Sequence, residues 1–136
     1  MAELSEKQLD LLRRLAGRMI PEAPAYEAPG ADDPAIFQEI ATACQARAAV
    51  LEGFLADLAA SALDDARLDD LRRRHEAAFA AVIAAVAQAY YRDDRVMRSL
   101  GMEPRPPFPK GYEVREGDWG LLGPVRSRAP IWREAG

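Results

Sequence analysis

The sequence predicts an all-α protein: a small helical bundle built on a long antiparallel helix hairpin, followed by an extended Pro-rich C-terminal arm. Apolar residues recur at steps of three and four through most of residues 1–101, which is the period of one helix face. Strand-like alternation never extends beyond a few residues. The last 35 residues hold six prolines and five glycines, which rules out a long helix there. We therefore expect a helical bundle over 1–101 and an extended tail over 102–136.

The first helix is expected from about residue 6 to residue 20. Ser5 can cap it, and Gln8 stands at the third helical position, where a capping box places Glu or Gln. Apolar residues then recur along one face: Leu9, Leu12, Leu15, Ala16 and Met19. Pro21 ends the helix, and residues 21–33, with three prolines and a glycine, predict a loop.

Two long helices are expected next, over 34–61 and 66–92. Asp33 followed by Pro34 is typical of a helix start, because a carboxylate caps the free amides and proline lacks the amide hydrogen that would go unbonded. Each helix would be about 40 Å long at 1.5 Å per residue. Arg47 interrupts the apolar face of the second helix, where its stem could cover apolar surface while the guanidinium reaches water. A short connection makes the pair an antiparallel hairpin, with the first helix packed across its groove.

A short fourth helix is expected over 92–101, capped by Asp93 and ended by Gly101 in the left-handed conformation. The tail that follows is rich in aromatic and aliphatic residues. Disordered segments are poor in such residues because they bury little surface. We therefore expect the tail to pack on the bundle or on a partner protein.

Composition narrows the function classes. The formal net charge is −4 and the isoelectric point is near 5.1. Because a nucleic-acid-binding protein needs a concentrated basic face, we expect that this protein does not bind nucleic acid. The N-terminal stretch 1–20 has the pattern of an amphipathic helix and not of a secretory signal. Apolar runs also fall short of the roughly 18 residues of a membrane span. We expect a soluble protein without membrane insertion, cytoplasmic as the chain stands and periplasmic if a signal was removed or a partner carries one.

The sequence predicts no catalytic residue, no cofactor-binding residue and no metal ligand. His75 and Cys44 are the only histidine and cysteine, which makes a zinc site of the usual type improbable. We interpret His75 as a core or rim residue with one hydrogen-bond partner, and Cys44 as a small buried hydrophobe. Three of the four Asp-Asp pairs fall at predicted helix starts, where they suit capping better than acid–base chemistry. One alternative is a small-molecule site or enzyme centred on His75, Tyr90 and Arg92.

The end of the third helix and the tail hold the candidate partner-binding residues. Tyr90 and Tyr91 lie about 100° apart around a helix, so both can be buried only if another segment covers that end. We expect the Pro-rich arm to be that cover. A Pro-x-x-Pro pattern over 104–109 also matches SH3-type ligands, although packing within an assembly is the better interpretation. The candidates are Tyr90, Tyr91, Arg92, Pro106, Pro107, Phe108, Tyr112, Trp119 and Trp132.

Three stretches in order resemble the gluconate 2-dehydrogenase subunit 3 family, the small subunits of membrane-associated flavin dehydrogenases. The stretches are "LSEKQLDLLRRLAGRMIPE", "APAYEAPGADDPAIFQEI" and "HEAAFAAVIAAVAQAYYRDDRV", followed by a glycine and a Pro-rich stretch. The resemblance covers about residues 4–110. Members usually begin with a twin-arginine export signal, which this sequence lacks, since Arg13 and Arg14 lie inside an amphipathic pattern.

The resemblance implies a non-catalytic accessory subunit. In that family a large partner carries FAD and oxidises a sugar, sugar acid or other alcohol, and the small subunit supports its folding, stability or export. FAD is therefore expected in the partner and no cofactor in this chain. The alternative is a stand-alone helical homodimer, of structural or interaction type and without a cofactor, whose tails exchange between two copies.

Overall fold

The protein is all-α over the residues that the structure, a computed structural model, describes: 3–60, 62–104, 117 and 119–129. The chain divides into two compact units, Met1–Arg105 and Pro106–Gly136. The first unit contains α1 (Glu6–Met19), α2 (Pro34–Gln45), α3 (Ala48–Ala59), α4 (Asp65–Arg74), α5 (Glu76–Tyr90) and α6 (Asp94–Ser99), with a 3-10 turn at Pro24–Tyr26. The second contains a 3-10 turn at Trp119–Leu122 and α7 (Gly123–Arg126). The prediction of an all-α protein is confirmed.

Four helices of the first unit, α1, α2, α4 and α6, begin at the predicted caps. The hydroxyl of Ser5 accepts a hydrogen bond from the Gln8 backbone N–H, and Gln8 Oε1 accepts one from the Ser5 N–H. The side chains of Asp33, Asp64 and Asp93 cap α2, α4 and α6 by accepting backbone N–H groups of the first turn. Each carboxylate thus satisfies amides that have no partner inside the helix. The interpretation of these acidic pairs as caps is confirmed.

The predicted second helix is interrupted, which corrects the expectation of one continuous helix over 34–61. Helix α2 ends at Gln45, and Arg47 has φ −122° and ψ 20°, outside helical geometry. In an unbroken helix Arg47 would lie three residues after the buried Cys44 and four before the buried Leu51, on the core face. Burying an unpaired guanidinium is costly. The break leaves Arg47 exposed while both apolar faces stay buried.

The predicted third helix is interrupted in the same way, at His75. This residue ends α4 and precedes α5 with φ −127° and ψ 50°. A continuous helix would place it on the core face between Leu71 and Ala78, which are both buried. Instead, the imidazole is 24% exposed and Nε2 lies 2.8 Å from Oδ2 of Asp57 on α3. Four shorter helices, α2 to α5, therefore replace the two long helices of the predicted hairpin.

Helix α5 is the centre of the first unit. It packs most extensively against α2 and also contacts α3 and α4, while α1 contacts α2 and α3. Its buried residues are mostly small, which lets neighbouring helices approach closely: Ala78, Val82, Ala85, Val86, Ala89 and Tyr90. Phe54 of α3, fully buried, meets Phe79 edge to face with ring centroids 5.9 Å apart. Among the described residues, no helix is both long enough and apolar enough to cross a membrane.

The substitution Gly53→Ala in α3 is expected to raise the free energy of unfolding by up to about 1 kcal/mol, because alanine loses less backbone entropy on entering a helix. A Cβ at this position would lie 3.6 Å from His75 Cε1, an ordinary van der Waals contact. Urea unfolding followed by far-ultraviolet circular dichroism measures the change.

Gly17→Ala in α1 is the matched contrast. Its Cβ would lie 2.8 Å from Asp32 Cγ and 3.0 Å from Asp32 Cβ, so the loop before α2 must move. We expect this variant to be less stable than the wild type. A stabilised Gly17→Ala protein, or a destabilised Gly53→Ala protein, would contradict the packing described for these helices.

Candidate functional site

The two tyrosines at the end of α5 have different surroundings. Tyr90 is buried, and its hydroxyl donates a hydrogen bond to the Pro29 carbonyl at 3.0 Å. Burial, with the nearby Tyr91 and Asp93 adding to it, raises the pKa of Tyr90. Tyr91 is 54% exposed and meets the Tyr90 ring edge to face, with centroids 5.3 Å apart. Part of the cover at this end therefore comes from the loop before α2. The arm predicted to cover it, residues 105–116, lies outside the described residues.

Arg95 joins the starts of two helices beside these tyrosines. Its guanidinium donates to both carboxylate oxygens of Asp33, at 2.8 and 3.1 Å, and to both of Asp93, at 3.0 and 3.1 Å. These side-chain hydrogen bonds hold the pKa of Asp33 and that of Asp93 below the ordinary value of 3.8. Each carboxylate also caps its own helix, so one cation fixes α6 against the start of α2. Gly101, with φ +73°, follows α6 in the predicted left-handed conformation.

A surface groove, here called the α2 groove, runs along the outer face of α2 towards the residue that follows Tyr91. Its volume is about 560 Å³. The α2 residues that line it follow one another at alternating steps of three and one, which places them on one helix face. The lining residues are Ala35, Gln38, Glu39, Thr42, Ala43 and Arg92. Among the described residues that line the groove, exposed Arg92 is the one that α2 does not supply.

His75 occupies the opposite end of α5. Its hydrogen bond to Asp57, together with the nearby Arg74, keeps the pKa of Asp57 below its ordinary value. The interpretation of His75 as a rim residue with a hydrogen-bond partner is confirmed. Since α5 has 15 residues, His75 and Tyr90 lie roughly 22 Å apart at 1.5 Å per residue. The structure therefore does not bring His75, Tyr90 and Arg92 together, and the alternative site centred on all three is not formed.

The remaining chemically reactive candidate is Cys44, which is buried in the core as predicted. Burial raises the pKa of its thiol to about 11, so the nucleophilic thiolate is scarce near neutral pH. In the described ranges 3–60, 62–104 and 119–129, no group of three or more His, Cys, Asp or Glu side chains is arranged to hold a metal ion.

Apart from Gly117, the described part of the second unit is one short segment, residues 119–129, here called the Trp119 segment. Every residue of this segment is exposed. Four large apolar side chains stand out, and they are 67%, 76%, 39% and 60% exposed in the order Trp119, Leu121, Leu122 and Val125. The other predicted partner-binding residues of the arm and tail lie outside the described residues: Pro106, Pro107, Phe108, Tyr112 and Trp132.

Sequence reasoning identifies Tyr90, Tyr91 and Arg92 but not the α2 side of the groove or Arg95. The exposed positions of α2 can be inferred from the sequence, because they lie on the helix face opposite to the buried apolar residues. Arg95 and Asp33 are 62 residues apart in the chain, so no local sequence pattern indicates that they pair. Comparison of the chain with protein-family models, with curated proteins and with solved structures finds no match.

The substitution Arg95→Gln is expected to lower the free energy of unfolding at pH 7 by about 1 kcal/mol, since the side chain is 46% exposed and solvent weakens its two ion pairs. The folded-state pKa values of Asp33 and Asp93 are depressed. Their stabilisation is therefore fully present above the unfolded pKa, near 3.8, and is lost as the pH falls below it and through the lower folded-state pKa values. The variant should lose less stability than the wild type between about pH 5 and pH 3.

Chemical unfolding across that pH range measures both effects. Arg98→Gln is the control, because Arg98 lies 3.8 Å from Asp94 and both side chains are more than 60% exposed. An Arg98→Gln protein that matched Arg95→Gln in its acid response would rule out a specific role for the Arg95 ion pairs.

Proposed function

We propose that this chain is a non-catalytic accessory subunit that binds a FAD-dependent alcohol, sugar or sugar-acid dehydrogenase and stabilises or matures it. The family resemblance of residues 4–110 supplies the identity of the partner. In this proposal the flavin belongs to the partner, and the complex is cytoplasmic, or periplasmic if a signal was removed from this chain or the partner carries one.

The exposed Trp119 segment is the observation that carries the proposal. Single exposed apolar side chains are common on protein surfaces, but four within seven residues are not. Removing apolar surface from water is favourable by about 25 cal/mol for each Å². Burial of these tryptophan and leucine side chains against a partner would therefore stabilise the complex. Tryptophan is also among the residues most enriched at the energetic centres of interfaces. A segment that presents such side chains is suited to binding a protein.

Further apolar surface is exposed in the first unit. Tyr91, Leu100 and Met102 are each between 54% and 57% exposed, and all three follow the ends of α5 and α6. They lie close in sequence to the α2 groove residue Arg92. The same exposed side chains would also suit a second copy of the chain, so a helical homodimer is the competing proposal.

The double variant Trp119→Ser, Leu121→Ser is expected to reduce recovery of the flavoprotein partner at least tenfold. Loss of a buried tryptophan from the centre of an interface typically weakens binding by about 2 kcal/mol, and a loss of about 1.4 kcal/mol already corresponds to a factor of ten. The full-length tagged chain is purified from its native host, and bound flavin is measured by absorbance and by substrate-dependent dye reduction.

Val50→Ser, on the surface of α3 and 53% exposed, is the matched control and should recover as much flavin as the wild type. Light scattering on the purified chain tests the competing proposal. A wild-type chain that binds no flavoprotein and forms a dimer broken by the Trp119 and Leu121 changes would replace the accessory subunit with the homodimer.

A further inference from the structure

We propose that the α2 groove is a second contact site for the flavoprotein subunit, and that Arg92 anchors this contact by binding a carboxylate of that subunit. This inference rests on the function proposed above. It concerns the first unit alone and is independent of the Trp119 segment.

Arg92 differs from most arginines of the first unit. Eight of them form ion pairs with carboxylates of the same chain: Arg14, Arg18, Arg67, Arg72, Arg73, Arg74, Arg95 and Arg98. Arg13 donates instead to the Asp32 carbonyl and lies over the Phe37 ring. Within the described residues, Arg47 and Arg92 form no ion pair. On a chain with net charge −4, an exposed guanidinium without a carboxylate remains free to bind one from outside.

The groove also offers the complementary charge. Glu39 lines it and forms no ion pair with the described residues, Arg92 included. Two opposite charges in one groove that do not pair with each other select a partner with the reverse arrangement. Such a pattern fixes the direction of the partner segment, because the opposite direction would place like charges together.

The rest of the groove lining suits a helix. Ala35 and Ala43 are small, and the hydroxyl of Thr42 already donates to the Gln38 carbonyl of its own helix at 2.9 Å. Small side chains allow the axes of two packed helices to approach to about 8–10 Å. Most of the described residues that line the groove are exposed, which suits a segment laid across it better than an enclosed small molecule.

The partner segment that these features select is therefore a helix of the flavoprotein subunit. It carries a carboxylate opposite Arg92, a basic or amide group opposite Glu39, and small or apolar side chains between them. Tyr91, the neighbour of Arg92 in the chain, adds an exposed aromatic ring at the same end of α5. Tyrosine and arginine side by side are typical of interface residues that contribute most to binding.

The test compares Arg92→Gln with Arg47→Gln in the full-length chain. Arg47 is the matched control, because it is also exposed, also lacks an ion pair among the described residues, and lies at the α2–α3 break outside the groove lining. The flavoprotein recovered with the wild-type chain is the probe, and its binding is measured by surface plasmon resonance at low and high salt. We expect Arg92→Gln to weaken binding at least tenfold and to reduce its salt dependence, with Arg47→Gln unchanged.

Circular dichroism of the three proteins confirms that neither change unfolds the bundle. If the wild type binds the flavoprotein and Arg92→Gln binds it equally well, the groove contact is wrong while the accessory function stands. Equal weakening by both variants also overturns it, because the effect would then follow net charge alone. If the wild type binds no flavoprotein, the proposed function fails and this inference fails with it.

Discussion

Burial of the apolar face of α5 against α2 is the interaction on which the rest of the first unit depends. Helix α5 contacts α2, α3 and α4, and its contact with α2 is the most extensive between two described elements, so it orders all three around itself. Its alanines bring the helix axes close, and valines at Val82 and Val86 fill the space between them. The C-terminal end of α5 thereby lies beside the start of α2. This arrangement forms the groove at Arg92 and brings the Tyr90 hydroxyl within hydrogen-bond distance of the Pro29 carbonyl.

A second constraint is that polar residues at core positions break helices instead of being buried. Arg47 and His75 both fall where an unbroken helix would put them in the core, and the backbone leaves helical geometry at each. A lost backbone hydrogen bond costs about 1 kcal/mol, whereas a buried unpaired guanidinium costs several. The break at His75 also lets its ring reach Asp57, which links α3 to the α4–α5 junction. Several shorter helices around α5 are the result.

The sequence predicted part of the candidate site. The Tyr90-Tyr91 doublet marked a helix end that needs cover, because adjacent side chains diverge by about 100°. Which tyrosine is covered followed from tertiary packing, since Pro29 reaches Tyr90 across 61 residues. The bridge that Arg95 forms between Asp33 and Asp93 also followed from tertiary packing, because the sequence indicates only that each aspartate caps its own helix. Partner-binding roles for Tyr91, Arg92 and the Trp119 segment remain predictions.

The sequence by itself determined where α1, α2, α4 and α6 begin, which residues cap them and which faces the helices bury. These features depend on interactions between residues three or four apart, which periodicity and cap chemistry report directly. Only the tertiary structure decided where the long apolar patterns break, which tyrosine is buried and where oppositely charged side chains meet. Those outcomes depend on the free energy of burying one particular side chain against residues distant in the chain, and no local pattern contains that quantity.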